Sequence, residues 1–164
     1  MKRRMVVSAA LAVPFLHGSR ASAAERLVGW ISPESPQATA PFFNALKAGL
    51  TAALTGGAEP VRIVERYDVN SPALAAAQVA ELQQMGVRLI VSQGAATVTV
   101  VGAKPIVPVV FGYSGDPIVA GIAQSMSRPG GNATGISFMS IELNPKRIDL
   151  LRTALPACRR IALL

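Results

Sequence analysis

Residues 106–136 read IVPVVFGYSGDPIVAGIAQSMSRPGGNATGI, and their succession of apolar runs and breakers points to one β-loop-α-turn-β unit. Residues 106–111 read as a buried strand, followed by a glycine-containing loop and a helix opened by Asp116 and Pro117. Gly130 and Gly131 stop that helix, and a short strand ends at Ile136. Val107, Val109, Val110 and Phe111 form an apolar run too continuous for a sheet wetted on one face, which predicts a parallel strand covered on both sides. Ile118, Val119, Ile122, Ala123 and Met126 recur at helical spacing and predict a stripe turned toward the sheet. Parallel sheets hold ligands beyond the carboxyl ends of their strands, so the loop over residues 112–116 is where function is sought first.

Upstream, residues 26–32 predict a first strand and residues 33–39 a polar loop rich in proline. A helix opened by Pro41 near its first turn carries Phe43, Leu46, Leu50 and Leu54 on one face and ends at Gly56 and Gly57. Residues 61–67 alternate, as a strand near a sheet edge does, and residues 72–85 predict a helix that turns Ala75, Val79 and Leu82 inward and stops at Gly86. Residues 87–92 predict the third strand. Val98, Thr99, Val100 and Val101 are β-branched and favour a strand. Two parallel neighbours nevertheless need a crossover between them, so residues 95–103 are assigned to a short helix. Downstream, Asn144 caps a helix with Pro145 first and Ile148, Leu151 and Leu155 inward; Pro156 ends it, and residues 159–164 begin another strand. The alternation of strand and helix predicts an α/β fold: an open, mostly parallel sheet flanked by helices.

The chain has 164 residues, 51% of them hydrophobic, which is enough for one domain with its own core. Residues 1–24 have the parts of a secretory signal: a basic start, an apolar core over residues 5–16 and the small-residue end Ala21-Ser22-Ala23-Ala24. The apolar core is shorter than the roughly 20 residues of a membrane span, so export and cleavage near residues 23–25 are expected, with the product in the periplasm. Arg3-Arg4 leaves both the general and the twin-arginine route open. The net charge of +7 belongs largely to this leader, since the remainder has 12 basic and 9 acidic side chains. With no interleaved basic and aromatic residues, nucleic acid is not an expected partner. Cys158, the only cysteine, reads as a small, inert, partly buried residue. The only histidine, His17, lies in the leader, so the mature chain has no Ser-His or Cys-His catalysis and lacks the commonest zinc ligands.

Three small polar loops fall at predicted strand ends, each ahead of a helix. They are residues 32–35, with Ser32 and Ser35; residues 92–96, with Ser92, Gln93, Gly94 and Ala95; and residues 112–116, with Tyr113, Ser114 and Asp116. Helix amino ends favour an anionic group, and Asp116 can meet an ammonium, so the three together suit a small zwitterion. Asp116 before Pro117 is equally what a helix start requires, and residues 92–94 also read as a plain strand-to-helix turn. Cofactor fingerprints are absent: no Gly-x-Gly-x-x-Gly follows the first strand, and the chain has neither a phosphate-binding Gly-x-x-x-x-Gly-Lys-Ser/Thr nor a Gly-x-Ser-x-Gly elbow. No metal site or cofactor is expected.

GDPIVAGIAQSMSRPGGNATGIS, residues 115–137, resembles the pattern GDPVxxGLVxSLARPGGNVTGxS of periplasmic substrate-binding proteins of ABC transporters, in the tryptophan/tyrosine-binding-like family. VAELQQMGVRLIVSQG at residues 79–94 and ELNPKRIDLLRTALPACRRIALL at residues 142–164 extend the likeness. The resemblance implies a type I periplasmic binding protein that closes two lobes over a small solute, often an amino acid, and delivers it to a permease in the inner membrane. It further implies that residues 25–136 are the first lobe and that residues 137–164 are the hinge and the incomplete beginning of the second. Gln93-Gly94-Ala95-Ala96-Thr97 departs from the Ser-Gly-Thr-Pro-Ala expected there, at the place where solute would be touched. A periplasmic α/β enzyme using Asp116 with Ser114 or Tyr113, and an inactive fragment that aggregates through Leu163 and Leu164, are the alternatives.

Overall fold

Ile31, Ile90 and Val109 are wholly shielded from solvent in the computed structural model, which describes residues 25–54 and 60–161. They lie on three neighbouring strands of one parallel sheet. In chain order the elements are β1 (Arg26–Ile31), α1 (Pro36–Ala53), β2 (Val61–Arg66), α2 (Pro72–Gln84), β3 (Leu89–Gln93), α3 (Ala96–Gly102), β4 (Val109–Tyr113), β5 (Ala133–Ser137) and α4 (Asn144–Ala154). The five strands are ordered β2-β1-β3-β4-β5, all parallel, so the chain builds outward from β1 in one direction and then from β3 in the other. This is the expected α/β sheet, with β2 at an edge.

Strand periodicity sorts the side chains between two faces. Ile31, Val64, Ile90, Val109, Phe111 and Ala133 form one core layer with Ala75, Val79 and Leu82 of α2 and Val100 of α3. Burying the Leu82 side chain alone is worth about 1.5–3 kcal/mol relative to exposure. Trp30 points the other way, where Phe43 of α1 packs on it with ring centroids 5.5 Å apart. On that second face Val110 and Ile136 remain 37% and 66% exposed, so β4 is not covered on both sides as its apolar run predicts. Strands β3 and β4 also begin later than expected, at Leu89 and Val109, leaving Ile106 in an exposed turn held by Gln83.

Helix α1 starts at Pro36 instead of Pro41, because the Ser35 hydroxyl caps the Ala38 N–H and places Pro36 at the first helical position. Helix α2 is capped in the same way by Ser71, and α3 forms as the crossover requires despite its β-branched residues.

The helix expected after Asp116 does not form. The Asp116 carboxylate accepts from the Ile118 and Val119 N–H groups at 2.7 and 3.3 Å, and a single turn follows. Gly121 closes that turn with φ +71, a left-handed conformation that ends helices, and both Ile122 and Ala123 donate back to Pro117. The segment then crosses from β4 to β5 as an irregular strap: Ile122 is buried, whereas Val119 and Met126 are 86% and 60% exposed. The predicted stripe is therefore not a sheet-facing one. Ser125 and Arg128 tie the second half of the strap by two hydrogen bonds of 3.0 Å.

Helix α4 matches its expected span, but Leu143 occupies its cap and Asn144 instead accepts from Arg147. None of its residues is buried, so Leu151 and Leu155 do not point inward to a core. Cys158 is exposed, not partly buried, and residues 155–161 around it form neither helix nor strand. The expected leader, the glycine stop at Gly56 and Gly57, and Leu163 and Leu164 lie outside the described residues. Among the described residues no helix is long and apolar enough to cross a membrane.

Candidate functional site

Strand order reverses between β1 and β3, and their carboxyl ends carry Ser32 and Gln93. In open α/β sheets a crevice forms at such a reversal, because the connections leave the two strands in opposite directions. Here the crevice floor is a polar cluster. The Ser32 hydroxyl donates to Gln93 Oε1 at 3.0 Å, and the Thr39 hydroxyl of α1 donates to the same oxygen at 3.3 Å. Ser32 Oγ in turn accepts the Glu34 N–H, which shapes the turn from β1 into α1. Ser32 and Thr39 are wholly buried, so each hydroxyl needs its partner.

Ser92 lies on the opposite face from Gln93. Its hydroxyl pairs with Thr97 at 3.1 Å, both fully buried, which joins the end of β3 to α3. Gly94 has φ +61 and donates to the Gly112 carbonyl at 2.8 Å, so the loop after β3 is tied to the end of β4. Ala95 is exposed beside it.

The third loop is braced from downstream. Ser140 donates its N–H and its hydroxyl to the Ser114 carbonyl, Ser137 donates to the Gly115 carbonyl at 2.7 Å, and Phe138 donates to the Tyr113 carbonyl. The Asp116 N–H meets Glu142 Oε1 at 2.7 Å. Asp116 thus serves as the cap of a turn, and Ser35 as the cap of α1. The structure brings Ser32, Ser92, Gln93, Gly94, Ala95, Tyr113, Ser114 and Asp116 to one edge of the sheet, with Ser35 one turn outside it.

A groove of about 640 Å³ opens from this edge along the second face of the sheet. Trp30, Phe42 and Phe138 give it apolar walls, and Gln93, Ser114 and Ser140 stand at its polar end. Sequence reasoning missed Thr39, which it placed in a loop; with the helix begun at Pro36, Thr39 and Phe43 fall four residues apart on the buried side. It also missed Phe42, on α1, and Phe138 and Ser140, which follow β5 and are tied to Tyr113 and Ser114. Larger by volume, a groove of about 710 Å³ between α1 and β2 lies away from the strand ends and collects no such cluster. No group of three or more His, Cys, Asp or Glu that could hold a metal ion occurs among the described residues.

An open, all-parallel α/β sheet with a polar crevice at its strand reversal is an architecture that places ligands beyond the strand ends. The chain belongs to the family described as ABC transporter substrate binding protein, whose model matches residues 43–164. Among solved structures, it is similar to a conserved domain protein from Vibrio cholerae O1 biovar El Tor, at 21% identity and TM-score 0.65, over 80% of this chain and 44% of that one. It is similar to the ligand-free, open structure of CD0873, a substrate binding protein with adhesive properties from Clostridium difficile, at 19% identity and TM-score 0.63, over 80% and 44%. A third is the ABC domain in complex with L-Trp from Streptococcus pneumonia, at 23% identity and TM-score 0.59, over 70% and 39%. These likenesses are of fold, and the chain spans less than half the length of each. No curated protein matches the chain.

Proposed function

We propose that the chain supplies the first lobe, residues 25–136, and the start of the hinge and second lobe, residues 137–164, of a solute-binding protein serving an ABC uptake system. The observation that carries this reading is the Ser32, Thr39 and Gln93 cluster at the strand reversal, where a family of substrate-binding proteins would grip its solute. Gln93, Gly94, Ala95, Tyr113 and Ser114 form the solute edge, with Ser32, Ser35, Ser92 and Asp116 holding the loops that present them. The mechanism is lobe closure: solute touching both lobes shifts the population toward a closed form, which an inner-membrane permease recognises. The protein works in the periplasm after loss of its leader and is not an enzyme.

The solute class is a free amino acid or a similar zwitterion. A structural neighbour holds L-Trp, and aromatic walls beside a polar end suit a solute with both kinds of surface. Thermal unfolding of the natural gene product with each of the twenty L-amino acids tests this. A saturable rise in Tm with one or a few of them is expected; no rise with any would overturn the amino-acid class.

A further inference from the structure

Gln93 sits with its amide oxygen committed inward. Ser32 Oγ already accepts the Glu34 N–H, and its own proton goes to Gln93 Oε1, which also takes the proton of Thr39. Turning the amide over would leave two hydroxyl protons, on fully buried residues, without that acceptor. The amide is therefore oriented by β1 and α1 together. Its nitrogen donates to none of the described residues, and Gln93 is half-buried at the polar end of the groove.

A second donor stands on the same face. The indole N–H of Trp30, whose residue is 3% exposed, is buried with no acceptor. Trp30 pairs in register with Val91, two residues before Gln93 and on the same face. That indole N–H is sealed from solvent, so the donor open to the groove is the Gln93 amide, and the lining residues include no lysine or arginine.

We infer that Gln93 is a specificity-determining residue whose fixed amide N–H group selects a solute bearing a hydrogen-bond acceptor, a carboxylate or carbonyl oxygen, at this point of the crevice. This rests on the solute-binding reading above and adds the polarity of one contact. Ser32 and Thr39 act through Gln93, as positioning residues.

The test is calorimetric titration of the natural gene product with the amino acid that raises its Tm most, using wild type, Gln93→Glu and Gln93→Met. Gln93→Glu keeps the shape and the acceptor used by Ser32 and Thr39 but replaces the donor with a charged acceptor; Gln93→Met keeps the length and removes both the donor and that acceptor. Affinity is expected to fall about tenfold or more in Gln93→Met and further in Gln93→Glu, as for loss and then reversal of a hydrogen bond to a charged group. Should Gln93→Glu fail to fold, as judged by its thermal transition, the Gln93→Met affinity decides alone. Wild-type binding with either folded variant within twofold would overturn the role of Gln93 and leave the solute-binding reading standing. No binding by wild type to any of the twenty amino acids would overturn the amino-acid class and, with it, this contact.

Discussion

At the scale of single residues, the crevice is built by hydroxyls that have given up their freedom. Ser32 and Thr39 fill the valence of one amide oxygen, and Ser92 and Thr97 satisfy each other on the opposite face. Each pair would be costly if broken, since a buried polar group without a partner loses about 1–3 kcal/mol. Titration gives a similar local check just beyond β2. Burial pushes the Tyr67 phenol up to about 12, helped by its 2.6 Å hydrogen bond to Glu65 and by the charge of that carboxylate. Its folded value lies above the unfolded one of about 10, so this contribution to stability is full below pH ~10 and is lost as pH rises through about 12. In a Tyr113→Phe variant Tyr67 is the remaining tyrosine, and its absorbance at alkaline pH should turn over near 12. A midpoint near 10 would contradict that environment.

At the scale of elements, β5 depends on a glycine. Gly135 pairs with Phe111, and a Cβ there would overlap the Phe111 carbonyl oxygen and ring. Gly135→Ala must therefore push β5 from β4, and a loss of about 1–3 kcal/mol in a denaturant titration is expected; an unchanged midpoint would contradict the pairing. Most elements were legible from the sequence because their signals are local. The Ala75, Val79 and Leu82 spacing gives α2, and the alternation of Val61 to Arg66 gives an edge strand. The strap after Asp116 was not legible as such, because its apolar spacing imitates a helix while Gly121, inside it, takes a conformation that no continuous helix tolerates. The start of α1 is not legible in the sequence, because Pro41 imitates a first-turn proline whereas Ser35 caps a helix that already begins at Pro36. The polar loops could be placed at strand ends from the sequence, whereas the bond from Thr39 to Gln93 joins residues 54 apart and follows only from the packing of α1 on the sheet.

At the scale of the whole molecule, the proposed reading gives this chain one lobe, and so one side of a grip. The strand reversal gathers Ser32, Gln93, Tyr113 and Ser114 at a single edge, and the solved neighbours are each more than twice the length matched here. Under lobe closure, contacts from the second lobe supply much of the affinity, and every 1.4 kcal/mol they contribute is about tenfold. The most direct test is calorimetric titration, side by side, of the natural gene product and of residues 25–164 with the amino acid that most stabilises the former. Binding by the natural product, with residues 25–164 weaker by about a hundredfold or more, is the predicted result. Equal affinity in the two, or no binding in either, would contradict the account.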